Sequence, residues 1–340
     1  MQQRTRVFLG LAISAVFVYF AVRGLDLRKV AFWMGQADYI WLAPAVLIYF
    51  VAVWGRTWRW HYMLRPIKVI SLRSLFPVVC IGYMGNNIFP VRAGEVLRTY
   101  VLKRKEGVSM SASLTTVVVE RVFDGLVMLL FIFVALPFVN LPGSLGGLVA
   151  VASVLFLGAL AAFIGLALRP QWARWLYTNT LRRVLPARLR KPVDGFFERF
   201  LTGLEFFLRP RDVLMVFLTS VFIWLAETGK YWFVMHAFDK QAGGFPVPFF
   251  VLMLMNGIVN LATTIPSAPG YVGTFDTPGI AVLTAYGVDK NLAFGYTIVL
   301  HAALWFPITI LGAWFFRREQ LAWSEVSRAK AQRVESLESA

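Results

Sequence analysis

The sequence predicts an all-α integral membrane protein of about six full transmembrane helices plus two opposed re-entrant hairpins, arranged as two inverted repeats. Three observations lead there. Hydrophobic residues make up 58% of the 340 and charged residues only 15%, with a mean hydropathy of +0.65; soluble domains run near 45–50% and about 25%. Long apolar runs recur along the chain with Lys and Arg at their ends, so the net charge of +16 reads as the cytoplasmic excess of basic residues rather than a nucleic-acid surface. Finally, two of the hydrophobic stretches are broken by Pro, Gly and Asn at corresponding places in the two halves, the pattern that marks a transporter's binding site.

Taken in order, span one covers about Val7–Val22 between Arg4/Arg6 and Arg23. It lacks a convincing small-x-small cleavage site and reads as a retained span rather than a removed leader. Residues 23–40 are a link of mixed charge. Span two, Trp41–Met63, carries Arg56, Arg59 and tryptophans 54, 58 and 60 late, which reads as an interfacial end. Arg65, Lys68 and Arg73 then mark the cytoplasmic side.

The first hairpin, 75–98, reads LFPVVCIGYMGNNIFPVRAGEVLR. Its apolar run is shorter than the about 20 residues a spanning helix needs. Asn86 and Asn87 bring polar groups that lipid does not satisfy, and Pro90 removes a backbone donor. Such backbone survives at membrane depth only when it is buried in protein or lines water. The basic flanks on both sides place its entrance on the cytoplasmic face. Span three, Ser111–Phe138, follows with Glu120, Arg121 and Asp124 inside it, and the uncharged loop 140–147 suits the outer face.

Half one, about 5–140, is thus span, span, hairpin, span. Half two, about 147–318, repeats the order starting outward. It comprises span four (148–168), a cytoplasmic segment 169–212 with ten Lys/Arg against four acids, span five (213–236), a second hairpin (248–286) and span six (292–316). The basic segment suits a surface-lying helix near anionic lipid. Residues 319–340 form a solvated tail, which gives a multi-pass protein of the bacterial inner membrane with both termini cytoplasmic. The second hairpin echoes the first: Pro90 and Gly94 stand four apart, as do Pro266 and Gly270.

Ionisable groups within membrane segments are costly to bury and are read as functional, each with a partner. Arg92, Glu95 and Arg98 follow the first break. Arg92 sits where helix ends converge and an anion is best received, and a guanidinium suits bidentate contact with phosphate or carboxylate. Glu120 and Asp124 share one helical face (i, i+4) while Arg121 looks elsewhere, so a cation between the two acids, Arg92 or Arg98, makes sense of them. Glu227 and Lys230 can pair with each other. Buried pairs of this kind also serve simply to fix hairpin packing, and both readings stand. Pro90, Gly94, Pro266, Pro269, Gly270 and Gly273 are hinge or backbone devices, and Asp276 either caps the returning helix or faces the cavity. His61, His236 and His301 fit no metal spacing, and Cys80, the lone cysteine, builds neither a disulfide framework nor a thiolate site. No cofactor or metal is expected, and no P-loop, zincin or Ser-His-Asp order is present.

Three motifs in order resemble one family: Pro90-x-Arg92-x-Gly94-Glu95-x-x-Arg98, Glu120-Arg121-x-x-Asp124, and Pro266-x-x-Pro269-Gly270-x-x-Gly273-x-x-Asp276. They are similar to the lysylphosphatidylglycerol synthase transmembrane-region family, which includes the flippase half of the bacterial multiple peptide resistance factor. The likeness spans about residues 5–318. It departs from the family at Ala268-Pro269-Gly270, where Gly-Gly is usual, and at Asp276, where Glu is usual. Nothing in the sequence resembles the soluble synthase domain. The resemblance implies a lipid translocase rather than an enzyme, its partners membrane lipids, whether anionic, aminoacylated, polyprenyl-phosphate or hopanoid-type, with a homodimer compatible. The alternative is an integral-membrane transferase acting on a lipid-linked substrate.

Overall fold

The computed structural model describes residues 2–89, 92–140, 169–184, 210–238, 247–265 and 267–320, with scattered helical positions between 146 and 197. Most of span four, Pro90, Val91, Pro266 and the tail beyond Gln320 lie outside the described residues. All regular structure among the described residues is helical. The helices are α1 (Gln2–Val22), α2 (Leu27–Gln36), α3 (Leu42–Leu64), α4 (Leu72–Ile88), α5 (Ala93–Glu106), α6 (Met110–Ala135), α7 (Pro170–Leu176), α8 (Pro210–His236), α9 (Phe249–Ala262), α10 (Asp276–Ala285) and α11 (Lys290–Arg318).

Their starts follow from the sequence. Asp26, Ser71, Ser109 and Asp289 each accept backbone N–H groups at the first turn of α2, α4, α6 and α11, satisfying donors a helix start leaves open. Gly107, at φ 71°, ends α5 in the left-handed conformation that glycine adopts without strain.

Among the described residues, three helices are long and apolar enough to cross a membrane, Tyr39–Leu64, Arg211–His236 and Lys290–Arg318, and a fourth candidate is the pair Gly10–Val22 and Leu27–Gln36, bent by 83°. Residues 23–40 are therefore more than a link, since α2 is a helix that packs against α11. The helix α6 has the length to cross, but Glu120, Arg121 and Asp124 sit in its middle. Leu47, Leu218, Phe222, Phe306 and Ile310 all point outward and stay exposed, the apolar exterior that lipid requires and water does not favour. The chain is an all-helical, multi-pass membrane protein.

Both broken stretches fold back as helical hairpins. In the first, a Cβ on Gly94 would lie 1.9 Å from the Gly82 carbonyl oxygen and 2.4 Å from the Asn86 nitrogen, so α4 and α5 touch backbone to backbone. In the second, α9 and α10 meet where Gly279 faces Met255. At the centre α3 lies along α8; α4 packs on α11 while α9 packs on α6, and α5 on α6 while α10 packs on α11. The two largest apolar clusters lie one around Trp60, Leu75, Ile81 and Leu102 and the other around Tyr231, Leu254, Leu283 and Tyr296, and Leu304 packs against both.

The ends of the bundle are tied by polar contacts. At one end Arg65 faces Asp212 at 3.8 Å, Lys68 pairs with Glu106 at 2.9 Å and Lys105 with Glu319 at 2.5 Å. At the other, the Asp26 amide donates to Asn291 Oδ1 at 2.8 Å, Lys290 to the Arg23 carbonyl at 2.5 Å, and the Asp38 amide to the Ala237 carbonyl at 2.8 Å. The described part of the basic segment, 170–184, is helical with Trp172 and Trp175 exposed.

Candidate functional site

The helix breaks converge on a polar cavity of about 130 Å3 walled by α3, α6, α8, α9, α11 and both hairpin tips. Asn87 pins the first tip to α11, donating to Thr309 Oγ1 at 2.8 Å and the Trp305 carbonyl at 3.3 Å. Arg92 reaches across to the second hairpin, where Nη2 donates to the Thr263 carbonyl at 2.9 Å. Gly270, at φ 69°, brings the second tip against Trp305, whose Nε1 would lie 2.8 Å from an added Cβ. The tips of the two hairpins thus meet.

Three charged groups surround the cavity. The deepest centres on Arg59, 1% exposed. It donates to Glu120 at 2.8 Å, to Asp124 at 2.6 Å and to Ser220 Oγ at 3.0 Å. Arg98 closes on the other Glu120 oxygen at 2.5 Å and stacks on Trp60, and Trp224 Nε1 donates to Asp124 at 2.9 Å. A second group joins Glu227 to Arg56 at 2.6 Å and to Lys230, with the Lys230 ammonium over the rings of Tyr49 and Tyr231. The third is looser: Glu95 stands 3.6 Å from Arg92 and 3.5 Å from Arg121, and Arg121 stands 3.3 Å from Asp124 and 3.4 Å from Glu120. Glu95 Oε1 and Arg121 Nε are buried without a hydrogen bond, as are Arg59 Nε and Arg98 Nε in the first group. Contacts of 2.5–2.8 Å on fully buried groups fix structure, whereas the 3.3–3.6 Å set at the cavity wall leaves hydrogen-bonding capacity for something else.

The sequence candidates therefore separate. Arg92, Glu95, Arg121, Asp124, Asn86, Asn87, Glu227 and Lys230 line the cavity. Arg98 and Glu120 stand behind its wall, and the cation between Glu120 and Asp124 is chiefly Arg59, with Arg98 on Glu120 alone and Arg92 on neither acid. Arg121 does not look elsewhere; it turns to the same acids. Asp276 makes no cap bond to the first turn of α10 and does not line the cavity; Oδ2 accepts from the Gly273 amide in the preceding turn, Oδ1 faces His301 Nδ1 at 2.8 Å, and His301 Nε2, on the cavity wall, faces the Gly270 carbonyl at 2.7 Å. Pro269 opens the turn 269–271, and Gly273, at φ 84°, sits against α1 at Ser14.

The interfacial reading of α3 is overturned. Arg56, Arg59 and Trp60 are buried while Trp54 and Trp58 are exposed. The signal was the helical phase: Tyr49, Ala52, Arg56 and Arg59 recur at three- and four-residue spacing on one face, and the two exposed tryptophans, four apart, occupy another. Tyr83, Trp224, Tyr231 and Tyr271 also line the cavity and had no sequence signal beyond being aromatic.

Comparison with known proteins gives a consistent placement. A family described as the lysylphosphatidylglycerol synthase TM region matches residues 7–312. A membrane protein of the UPF0104 group from Methanothermobacter thermautotrophicus is 25% identical, covering 88% of this chain and 92% of its own length. Another, PH1989 from Pyrococcus horikoshii, is 23% identical over 92% of this chain and 96% of its own. A protein named glycosyltransferase AglD, from Haloferax volcanii, is 26% identical over 91% of this chain but only 54% of its own length, so this chain spans about half of it.

Proposed function

The chain belongs to the lysylphosphatidylglycerol synthase TM region family, and on that footing we propose that it is a lipid translocase, moving a lipid with a charged headgroup between leaflets through the cavity at the hairpin tips. The observation that carries this reading is a polar, charged cavity enclosed by helices whose outer faces are apolar. Such a chamber costs free energy in a membrane unless it receives something polar. The headgroup enters it while the acyl or prenyl chains stay in the bilayer. Arg92, Arg121 and Lys230 receive the headgroup's negative charge, and Glu95 positions the two arginines.

Two halves of inverted topology are part of the same proposal. Support comes from the reciprocal packing of α4 on α11 and α9 on α6 about the central α3–α8 pair. The end of the bundle holding Arg65, Lys68, Lys105 and Arg211 is assigned to the cytoplasm by its basic residues. Hairpin one then re-enters from that side, hairpin two from the other, and both termini are cytoplasmic.

The test is leaflet exchange of labelled lipids in liposomes carrying the purified protein, against liposomes carrying an Arg92→Ala/Glu95→Gln double variant. Exchange well above protein-free liposomes that is lost in the correctly folded variant supports translocation; equal exchange in both removes the cavity from the process. A transferase reading draws on the name of the Haloferax relative and is favoured instead if the protein releases a glycosylated product from a lipid-linked sugar without moving lipid.

A further inference from the structure

We infer that the cavity takes a headgroup bearing two negative charges, a phosphate monoester or a diphosphate, and discriminates against cationic aminoacylated lipids. The inference rests on the cavity being the headgroup site proposed above and names the chemistry it accepts.

The first ground is charge. Within the three groups around the cavity, the six cations Arg56, Arg59, Arg92, Arg98, Arg121 and Lys230 face the four carboxylates Glu95, Glu120, Asp124 and Glu227. Asp276 belongs to none of these groups: it does not line the cavity, and it faces His301, which is a cation only when protonated. Two positive charges are left uncompensated among the described residues, and uncompensated buried charge is strongly unfavourable. A monoanion leaves one surplus and a dianion leaves none.

The second ground is that each of these carboxylates already faces at least two cations. Glu95 has Arg92 and Arg121; Glu120 has Arg59, Arg98 and Arg121; Asp124 has Arg59 and Arg121; Glu227 has Arg56 and Lys230. An ammonium headgroup entering here meets acids already paired twice or more and adds to the positive surplus.

The third ground is unused donors. The hydroxyls of Tyr49, Tyr83, Tyr231 and Tyr271 stand on the cavity wall with no hydrogen-bond partner among the described residues. Tyr49 and Tyr231 are 4% and 1% exposed. Hydroxyls open to the cavity can donate to a ligand, and phosphate oxygens accept several charge-assisted bonds at once.

The experiment is calorimetric binding to the purified full chain at about pH 8, where a phosphate monoester carries close to two charges. The probes are short-chain phosphatidic acid, phosphatidylglycerol, lysylphosphatidylglycerol and inorganic phosphate. Phosphatidic acid is expected to bind about tenfold or more tighter than phosphatidylglycerol, the size of one additional charged contact, with lysylphosphatidylglycerol weakest. Arg121→Gln, which lowers the surplus to one, is expected to weaken phosphatidic acid more than phosphatidylglycerol and so to erase most of the phosphatidic acid advantage. Tyr231→Phe removes one hydroxyl with little change in shape and is expected to weaken phosphatidic acid binding several-fold at unaltered melting temperature. Equal or tighter binding of phosphatidylglycerol or of lysylphosphatidylglycerol overturns the inference, whether or not lipids are translocated. Inorganic phosphate binding as tightly as phosphatidic acid upholds the dianion but makes the free ion the ligand. Selective phosphatidic acid binding without leaflet exchange upholds the dianion and removes the translocase.

Discussion

The guanidinium of Arg92 lies 5.5 Å from the ring centre of Tyr271, and both residues hold left-handed backbone conformations, at φ 51° and 62°. Each stands at the break of a different hairpin. Left-handed backbone costs a side-chain-bearing residue about 1–2 kcal/mol, so glycine would be the easier choice at either position. The contact joins the two tips at the cavity mouth, and Arg92, Tyr271 and Asn86 also line a second, smaller cavity of about 70 Å3 beside the first. The stack is the partition between the two spaces.

Replacing Arg92 by glycine separates strain from chemistry. It relieves about 1 kcal/mol of backbone strain while losing a charged hydrogen bond of comparable size. The melting temperature in detergent is expected to change by only a few degrees, with leaflet exchange falling about tenfold or more. Wild-type exchange in Arg92→Gly would take the guanidinium out of transport.

Arg59 holds two buried carboxylates together. Arg59→Met leaves Glu120 and Asp124 facing each other with less compensation, and breaking such a buried pair costs about 3–5 kcal/mol. Thermal unfolding should show that loss, and Arg59→Lys should recover part of it, since an ammonium keeps the charge but not the fork that reaches both acids. Unchanged melting in Arg59→Met would mean that the network contributes nothing to the fold.

Gly94 is a packing requirement. An added methyl at 1.9 Å from the Gly82 carbonyl oxygen cannot be absorbed by a side-chain rotation, because the obstacle is backbone. Gly94→Ala is expected to destabilise by about 3 kcal/mol or more or to abolish folded expression, read by size-exclusion profile and melting. Gly35→Ala, at a position with nothing near the added carbon, is the control and should behave as wild type.

Topology is open to labelling because Cys80 is the lone cysteine. In a Cys80→Ala background, Lys103→Cys beside the first hairpin's open end and Arg23→Cys at the end of α1 are both exposed positions. A membrane-impermeant thiol reagent applied outside intact cells should modify Arg23→Cys and leave Lys103→Cys untouched until the membrane is opened. Labelling of both from one side would refute the placement of these two ends of the bundle on opposite faces of the membrane.

Much of this is legible in the sequence. Polar residues in an apolar run announce themselves, so Asn86, Asn87, Arg92, Glu95, Glu120, Arg121 and Asp124 were found by composition and position, and Glu227–Lys230 by spacing. Arg56 and Arg59 were missed because three nearby tryptophans imitate a membrane interface, and only the phase of the helix tells that these arginines face inward while Trp54 and Trp58 face out. The direction of Arg121 was missed for another reason. One helical residue offset from its acidic neighbours points away from them at Cβ, yet a long side chain curls back. The pairing of Asp276 with His301 joins residues 25 positions apart and depends on how α10 packs on α11, which no local pattern encodes.

The direct contact of Gly82 with Gly94 also bears on how the molecule can move. Two helices locked peptide against peptide have no side-chain layer between them to slide or compress, so the first hairpin behaves as a stiff wedge. Any opening of the cavity then rotates that wedge as one piece about its attachments near Ser71 and Gly107, and to do so it must let go of its counterpart at the Thr263 carbonyl and at the ring of Tyr271.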